Sequence, residues 1–393
     1  MSDEGQDFYE TEEEEESLSM DSSEFYMEYR NRSCYYEMRH KLEWPSRIAQ
    51  WLPDVVPVAD EDYSLQWLMM GSHTLLHERS QLLIASIEIP NDTPISCDSA
   101  GFNSCKIDIT KKINHPGEVT MASYMPQNPC IIATRTFSSD ILVFDRTLQP
   151  SEPDPSGTCS PELILRGHEG KGYGLSWNRY QHGHLLSASD DHTVRLWDIN
   201  CTPSEGRVFD TITIFTEHTS NVNDVQWDPE DANMFCSVAD DKKMILWDTR
   251  SNITSSIVHA HDAKVNSLSF HPNRQFILVT ASADESIALW DLRYLKLKLV
   301  SLKYDNKEFF QVKWSPHYES VLASRAADDR LFVWDMNNYG KSIAEADKYP
   351  PELSFIYYGN ESNISDFSWN DNELWTFCSV AEDNMLHVWQ NNQ

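Results

Sequence analysis

One pattern of apolar and polar positions recurs along the chain. A histidine precedes an alternating stretch ending in Trp or Phe; then come a Ser/Ala-rich stretch, an Asp, and an apolar stretch closing on Trp-Asp. The best copies run from RGHEGKGYGLSW to LLSASDDHTVRLWD (166–198), from TEHTSNVNDVQW to FCSVADDKKMILWD (216–248), and from HAHDAKVNSLSF to LVTASADESIALWD (259–291). Short runs of period two predict strands, and self-similarity along the chain predicts a repeat architecture. Weaker copies close at VFD (143–145), VWD (333–335) and VWQ (388–390), so six closures fall roughly 43 to 55 residues apart.

These copies resemble WD40 repeats. Each supplies four short antiparallel strands that cannot bury both faces alone, which implies radial packing as the blades of a propeller. The fold class expected is all-β, a seven-bladed WD40 β-propeller with an N-terminal α-helix. The seventh blade must come from residues 44–90, where AQWLPDV, YSLQWLMMG and LLIASIEI read as strands. An N-terminal strand pairing into the last blade would close the ring and remove its open edges.

Ahead of the propeller, expected over 43–393, residues 1–20 with the run Glu12 to Glu16 are too polar to bury a core and are expected to be disordered. Residues 21–42 read as a helix, with Asp21 and Glu24 spaced as a capping box and Phe25 and Tyr29 on one face. Stretches rich in Pro, Gly, Ser and Asp at 146–163 and 337–352 read as loop insertions.

Charge narrows the partners. Of the net −31, residues 1–28 contribute 12 Asp/Glu and no Lys or Arg, and the remainder is still acidic. A phosphate backbone needs a basic surface, so direct nucleic-acid binding is not expected, whereas a basic protein is complementary. No apolar stretch is long enough to span a bilayer, so no membrane partner is expected. The eight cysteines form no CxxC pair, so no metal site and no cofactor are expected. The acidic N-terminus lacks the basic start and apolar core of a signal peptide, which favours an intracellular protein.

Two stretches suggest catalysis at first sight. GHEGKG resembles a phosphate loop, but Gly170-Lys171 is followed by Gly172 where a hydroxyl is needed, and the segment leads into a strand. Its glycines are turn punctuation. His168 with Asp190, Asp191 and His192 could suggest acid/base work, but His218 with Asp240 and Asp241, and His261 with Asp284, repeat it in step with each closing Trp. Catalysis needs one constellation, whereas repetition fits a structural tie within each blade. Asp305 and Asn360 replace the histidine in the last two repeats, which predicts weaker ties there.

LEWPSRIAQWLPD, YMPQNPCIIAT, HLLSASDDHT, LWDTRSN, LWDLRYLKLKL and PPELSFI, spread from about residue 42 to 389, narrow the resemblance. They are similar to the histone-binding WD40 family of the retinoblastoma-binding protein 4/7 type, also called the p55 or MSI type. The resemblance implies a nonenzymatic nuclear scaffold, a monomer within hetero-oligomeric assembly, deacetylase, remodelling or Polycomb-type complexes. It implies a groove for the first helix of histone H4, formed by the N-terminal helix and a loop carrying Glu345, Asp347, Pro350, Pro351, Phe355 and Ile356. It also implies a channel face for the H3 tail or similar basic peptides, with Glu43, Trp44, Pro45, His73, Glu118, Tyr173, Asn266, Glu308, Phe310 and Glu382. Departures from the family pattern stand at Arg32, Ser33 and Lys348 in the groove and at Lys171, Asn223 and Lys264 on the face, so weakened or altered histone affinity is expected. An alternative is substrate receptor of a cullin-RING ubiquitin ligase, because Trp247-Asp248-Thr249-Arg250 and Trp290-Asp291-Leu292-Arg293 are similar to the WDxR box that docks the ligase adaptor. An enzyme ranks below both.

Overall fold

In a computed structural model, the described residues are 34–59, 61–74, 79–91, 106–203, 205–251, 253–341 and 349–391. They form seven antiparallel sheets arranged as the blades of a propeller, matching the expected fold. Blade 1 spans 46–114 and blade 2 spans 121–166. Blades 3 to 6 begin at Leu175, Val222, Val265 and Phe309, and blade 7 combines 364–391 with the strand Cys34–Lys41. AQWLPDV, YSLQWLMMG and LLIASIEI lie in the first three strands of blade 1, and Ile107–Asn114 supplies the fourth. Blade 2 gains an unexpected fifth strand, Val208–Asp210, which pairs in parallel with Leu163–Arg166.

The chain's apolar alternation is resolved between blades. Seven buried clusters each join one blade to the next, as where Leu186, Ala188 and Leu196 of blade 3 meet Val225, Trp227 and Trp247 of blade 4. No blade has a core of its own, so burial at each interface depends on the neighbour being folded.

The helix expected over 21–42 requires correction at its C-terminal end, and residues 1–33 lie outside the described residues. Residues 34–41 are a strand, paired antiparallel with Met385–Asn391. CYYEMRHK alternates at period two, with Tyr36 and Met38 buried and Arg39 outside, and the last blade offers an edge whose N–H and C=O groups need partners. Pairing with that edge outweighs the local helical reading. The capping box at Asp21 and Glu24 and the acidic run fall outside the described residues.

Within blades 3, 4 and 5 the repeated polar residues form one chain of bonds. His218 Nδ1 donates to Asp241 at 3.0 Å, the Ser237 hydroxyl lies 2.8 Å from His218 Nε2, and Trp247 Nε1 donates to Ser237 at 2.8 Å. His168, Asp191, Ser187 and Trp197 repeat it, as do His261, Asp284, Thr280 and Trp290. Burial drives His168 and His261 down to about 4, so each imidazole is neutral at pH 7. Its one proton faces the carboxylate, and Nε2 accepts from the hydroxyl. Burial opposes ionisation of Asp241 and Asp284, but bonds from histidine, hydroxyl and backbone groups hold both at about 2.

The expected weakening holds for blade 7, where Ser379 reaches Asn360 at 3.2 Å and Trp389 Nε1 has no partner among the described residues. It does not hold for blade 6. There Arg330 bridges Asp305 and Asp328, and Trp334 still donates to Ser324 at 2.9 Å.

Ser237→Ala strands both an imidazole nitrogen and an indole N–H, and is expected to cost on the order of 2 to 4 kcal/mol in urea unfolding. Ser379→Ala, losing one longer bond, is expected to cost about 1 kcal/mol; equal losses would contradict this ranking.

Acid should also weaken the fold. His115, His168 and His261 titrate near 4 when folded because burial opposes their charge, while the unfolded chain takes those protons near the ordinary value of 6.5. The unfolded state therefore binds more protons between those limits, and stability falls as pH drops from about 6.5 to 4. Asp224, raised to about 6 by complete burial, works in the opposite direction over part of that range and offsets only some of the loss. The urea midpoint should fall between pH 7 and pH 4.5, and a His168→Gln/His261→Gln double variant, less stable at pH 7, should show a shallower fall.

Candidate functional site

The inner strands of blades 4 to 7 share one irregularity. Their pairing registers skip a residue between Val222 and Asp224, Val265 and Ser267, Phe309 and Gln311, and Ile364 and Asp366. A bulge leaves its extra residue out of the ladder and re-aims it. The four re-aimed residues, Asn223, Asn266, Phe310 and Ser365, all line one cavity of about 930 Å³ at the channel.

That cavity gathers six of the ten residues expected on the channel face: Pro45, His73, Tyr173, Asn266, Phe310 and Glu382, with the departures Asn223 and Lys264 among them. Glu118 sits beside it, buried and 3.1 Å from His73 Nε2. Burial and the Arg47 charge hold His73 below its ordinary value, against the pull of Glu118. Glu308 stands at the rim, 3.9 Å from Lys264. Glu43 and Trp44 line a separate cavity of about 710 Å³ with Leu42, Ser72 and Lys112, where Lys112 lies 3.5 Å from Glu43.

Structural duties account for part of this set. Asn223 donates to Asp240 and to the carbonyl of Val265, and Asn266 to the carbonyl of Phe309, both at 2.8 Å, so each amide ties its blade to the next. Arg325 does the same to Ile364 at 3.0 Å.

The two lysines behave differently. Lys171 lies 3.8 Å from Asp190, and its ammonium stands 5.9 Å from the Tyr173 ring centroid and 5.6 Å from that of Phe137. Lys264 stands 5.9 Å from the Phe310 centroid, and Arg325 5.3 Å from the same ring. Both aromatic platforms of the face are thus already capped by cations of the chain itself.

The groove residues are less completely described. Glu345, Asp347 and Lys348, with Arg32 and Ser33, lie outside the described residues. Pro350 and Pro351 are partly buried in the turn that enters Leu353–Tyr357. Phe355 and Ile356 pack into the interfaces on opposite sides of blade 6. At the opposite end of the blades, Arg250 and Arg293 each form a two-bond fork to Asp248 and Asp291 and remain 60% and 65% exposed.

Sequence reasoning missed several cavity residues: Arg47, Asp224, Gln311, Arg325 and Asp366. Asp224, Ser267, Gln311 and Asp366 each follow a bulged residue, so an in-phase alignment of the repeats was the signal available.

Comparison with protein families gives two matches. Residues 26–91 match the family of the histone-binding protein RBBP4 and its counterpart in the CAF1 complex. Residues 159–198, 209–248, 253–291 and 351–390 match the WD domain, G-beta repeat. Each of these four repeats starts with the outer strand of the preceding blade and ends at the third strand of its own, so sequence repeat and blade are offset by one strand. With a seven-bladed ring whose first blade and closing strand fall inside the RBBP4-type match, the chain belongs to the histone-binding WD40 proteins of the RbAp46/48 type.

Proposed function

We propose that this histone-binding scaffold takes the H3 tail, or a similar Arg/Lys-rich peptide, at the channel face, and the first helix of H4 beside the loop that enters Leu353–Tyr357. Its role is nonenzymatic and nuclear, as one copy within chromatin assembly, deacetylase, remodelling or Polycomb-type complexes. The observation carrying the channel part is the convergence of Tyr173, Asn266, Phe310 and Glu382, from four different blades, on one cavity. Aromatic faces and a carboxylate around a concave site suit an extended cationic peptide.

Affinity is reduced by the chain's own lysines. A basic ligand must displace Lys171 from Tyr173 and Lys264 from Phe310, and it meets like charge while doing so. Both lysines are held by long, half-exposed ion pairs, which are worth little. Displacement is therefore possible but costs binding energy. In calorimetry with an unmodified H3-tail peptide, Lys171→Glu and Lys264→Glu are each expected to tighten binding by about three- to tenfold. Unchanged affinity in both variants would reject the capping role, and no binding by the wild-type protein would reject the channel reading.

A second reading is receptor for a ligase adaptor. It is favoured by the identical exposed presentation of Arg250 and Arg293 on adjacent blades, although each fork is already engaged by its own aspartate. Capture of the adaptor by the wild-type chain and its loss in an Arg250→Ala/Arg293→Ala variant would support that role. Absence of capture would leave the arginines as strand-end structure.

A further inference from the structure

The protein carries a net charge of −31, yet the channel cavity is lined by three basic side chains, Arg47, Lys264 and Arg325, and three carboxylates, Asp224, Asp366 and Glu382. The two signs are not equally available. Asp224 accepts from the backbone of Val225 and Leu268 and from Ser267, at 2.9 to 3.2 Å. Asp366 accepts from the backbone of Ala49 at 2.8 Å and from Gln311 at 2.7 Å. Glu382 takes a bond from Asn363 at 3.3 Å, and Glu118 is engaged by His73. The acids are thus largely committed to holding the blades together.

Arg47 is not. Among the described residues it forms no ion pair or hydrogen bond, and its guanidinium carbon stands 5.8 Å from the centroid of Phe137, a ring 45% exposed. Lys171 approaches the same ring at 5.6 Å, with only the 3.8 Å contact to Asp190 as counter-charge. Two long cationic side chains therefore meet at one exposed aromatic ring, beside Tyr173 and at the edge of the cavity. Arg47 presents the planar fork of donors that matches a phosphoryl group, and Lys171 adds a flexible point charge.

We propose that Arg47 and Lys171 form an anion clasp at Phe137 that receives a phosphoryl group carried by the peptide in the channel. The inference rests on the channel reading above and specifies its ligand: a basic peptide bearing one phosphoserine or phosphothreonine near its Tyr173 end. A phosphoryl group carries between one and two negative charges at neutral pH, enough to draw both cations off the ring. Moving Lys171 also uncovers Tyr173, so the anion that engages the clasp removes the obstacle to the peptide's own basic residues. The same lysine that opposes an unmodified tail favours a phosphorylated one.

The test is calorimetry of the full chain at fixed low salt with an unmodified H3-tail peptide and a set carrying a single phosphoserine or phosphothreonine at each native hydroxyl position. At least one phosphopeptide is expected to bind about five- to tenfold tighter than the unmodified peptide. That gain should disappear in Arg47→Ala and in Lys171→Ala but persist in Lys264→Ala. If the unmodified peptide binds and no phosphopeptide binds tighter, or if the gain survives in Arg47→Ala and Lys171→Ala, the clasp is overturned while the channel reading stands. If no peptide of the set binds the wild-type protein, both fall.

Discussion

The pairing of Cys34–Lys41 with Met385–Asn391 is the constraint on which the rest of this structure depends. Each of the seven buried clusters lies between two blades, so an open ring would leave the facing surfaces of blades 7 and 1 uncovered. The closing strand supplies both hydrogen bonds and apolar contact: Tyr36 and Met38 join Trp51 and Leu68 of blade 1 and Val380 and Val388 of blade 7 in one cluster. A circle of interfaces has no end at which to fray, which lets blades of uneven internal quality coexist. Blade 7, with its single polar bond between Ser379 and Asn360, is held instead by a strand from the far end of the chain.

Closure also determines where chemistry can gather. The inner strands of all seven blades converge on the channel, so a residue at the same phase of each repeat becomes one member of a ring. The bulges in blades 4 to 7 turn that geometry into a site, because each aims one side chain at the channel without breaking the blade around it. Those residues differ in type: two asparagines lock neighbouring blades, Phe310 offers an aromatic face, and Ser365 offers little bulk. Repetition builds the frame, and departures from repetition build the site.

This division explains what could be read from the sequence. The polar tie was legible because His218, Ser237, Asp241 and Trp247 recur in phase in three repeats, and repetition in step separates structure from catalysis. The closing segment was only half legible. Its role as a strand joining the last blade followed from the need to close the ring, whereas local composition over 21–42 pointed to a helix, and the alternation of Tyr36 and Met38 was outvoted. Arg47 was not legible at all. It lies at the first strand of a blade that lacks the repeat's markers, and nothing local to Ser46-Arg47-Ile48 shows that the side chain meets a ring 90 positions away in sequence.

The charge of the chain misleads in the same way. An acidic total of −31 suggests that a basic ligand is drawn to carboxylates, yet the carboxylates at the channel are mostly engaged by backbone amides, amide side chains and His73. Long-range attraction follows net charge, whereas recognition at contact follows the charges left without partners. Here the acidic surface brings a basic peptide toward the propeller, and the lightly held cations at the mouth decide which one stays. Lys171 stands where these two effects oppose each other: it sits on Tyr173, which a cationic side chain of the ligand would need, and beside Arg47, which together with it can hold an anion. A ligand that satisfies both carries both signs of charge close together, and a uniformly basic tail satisfies only the first.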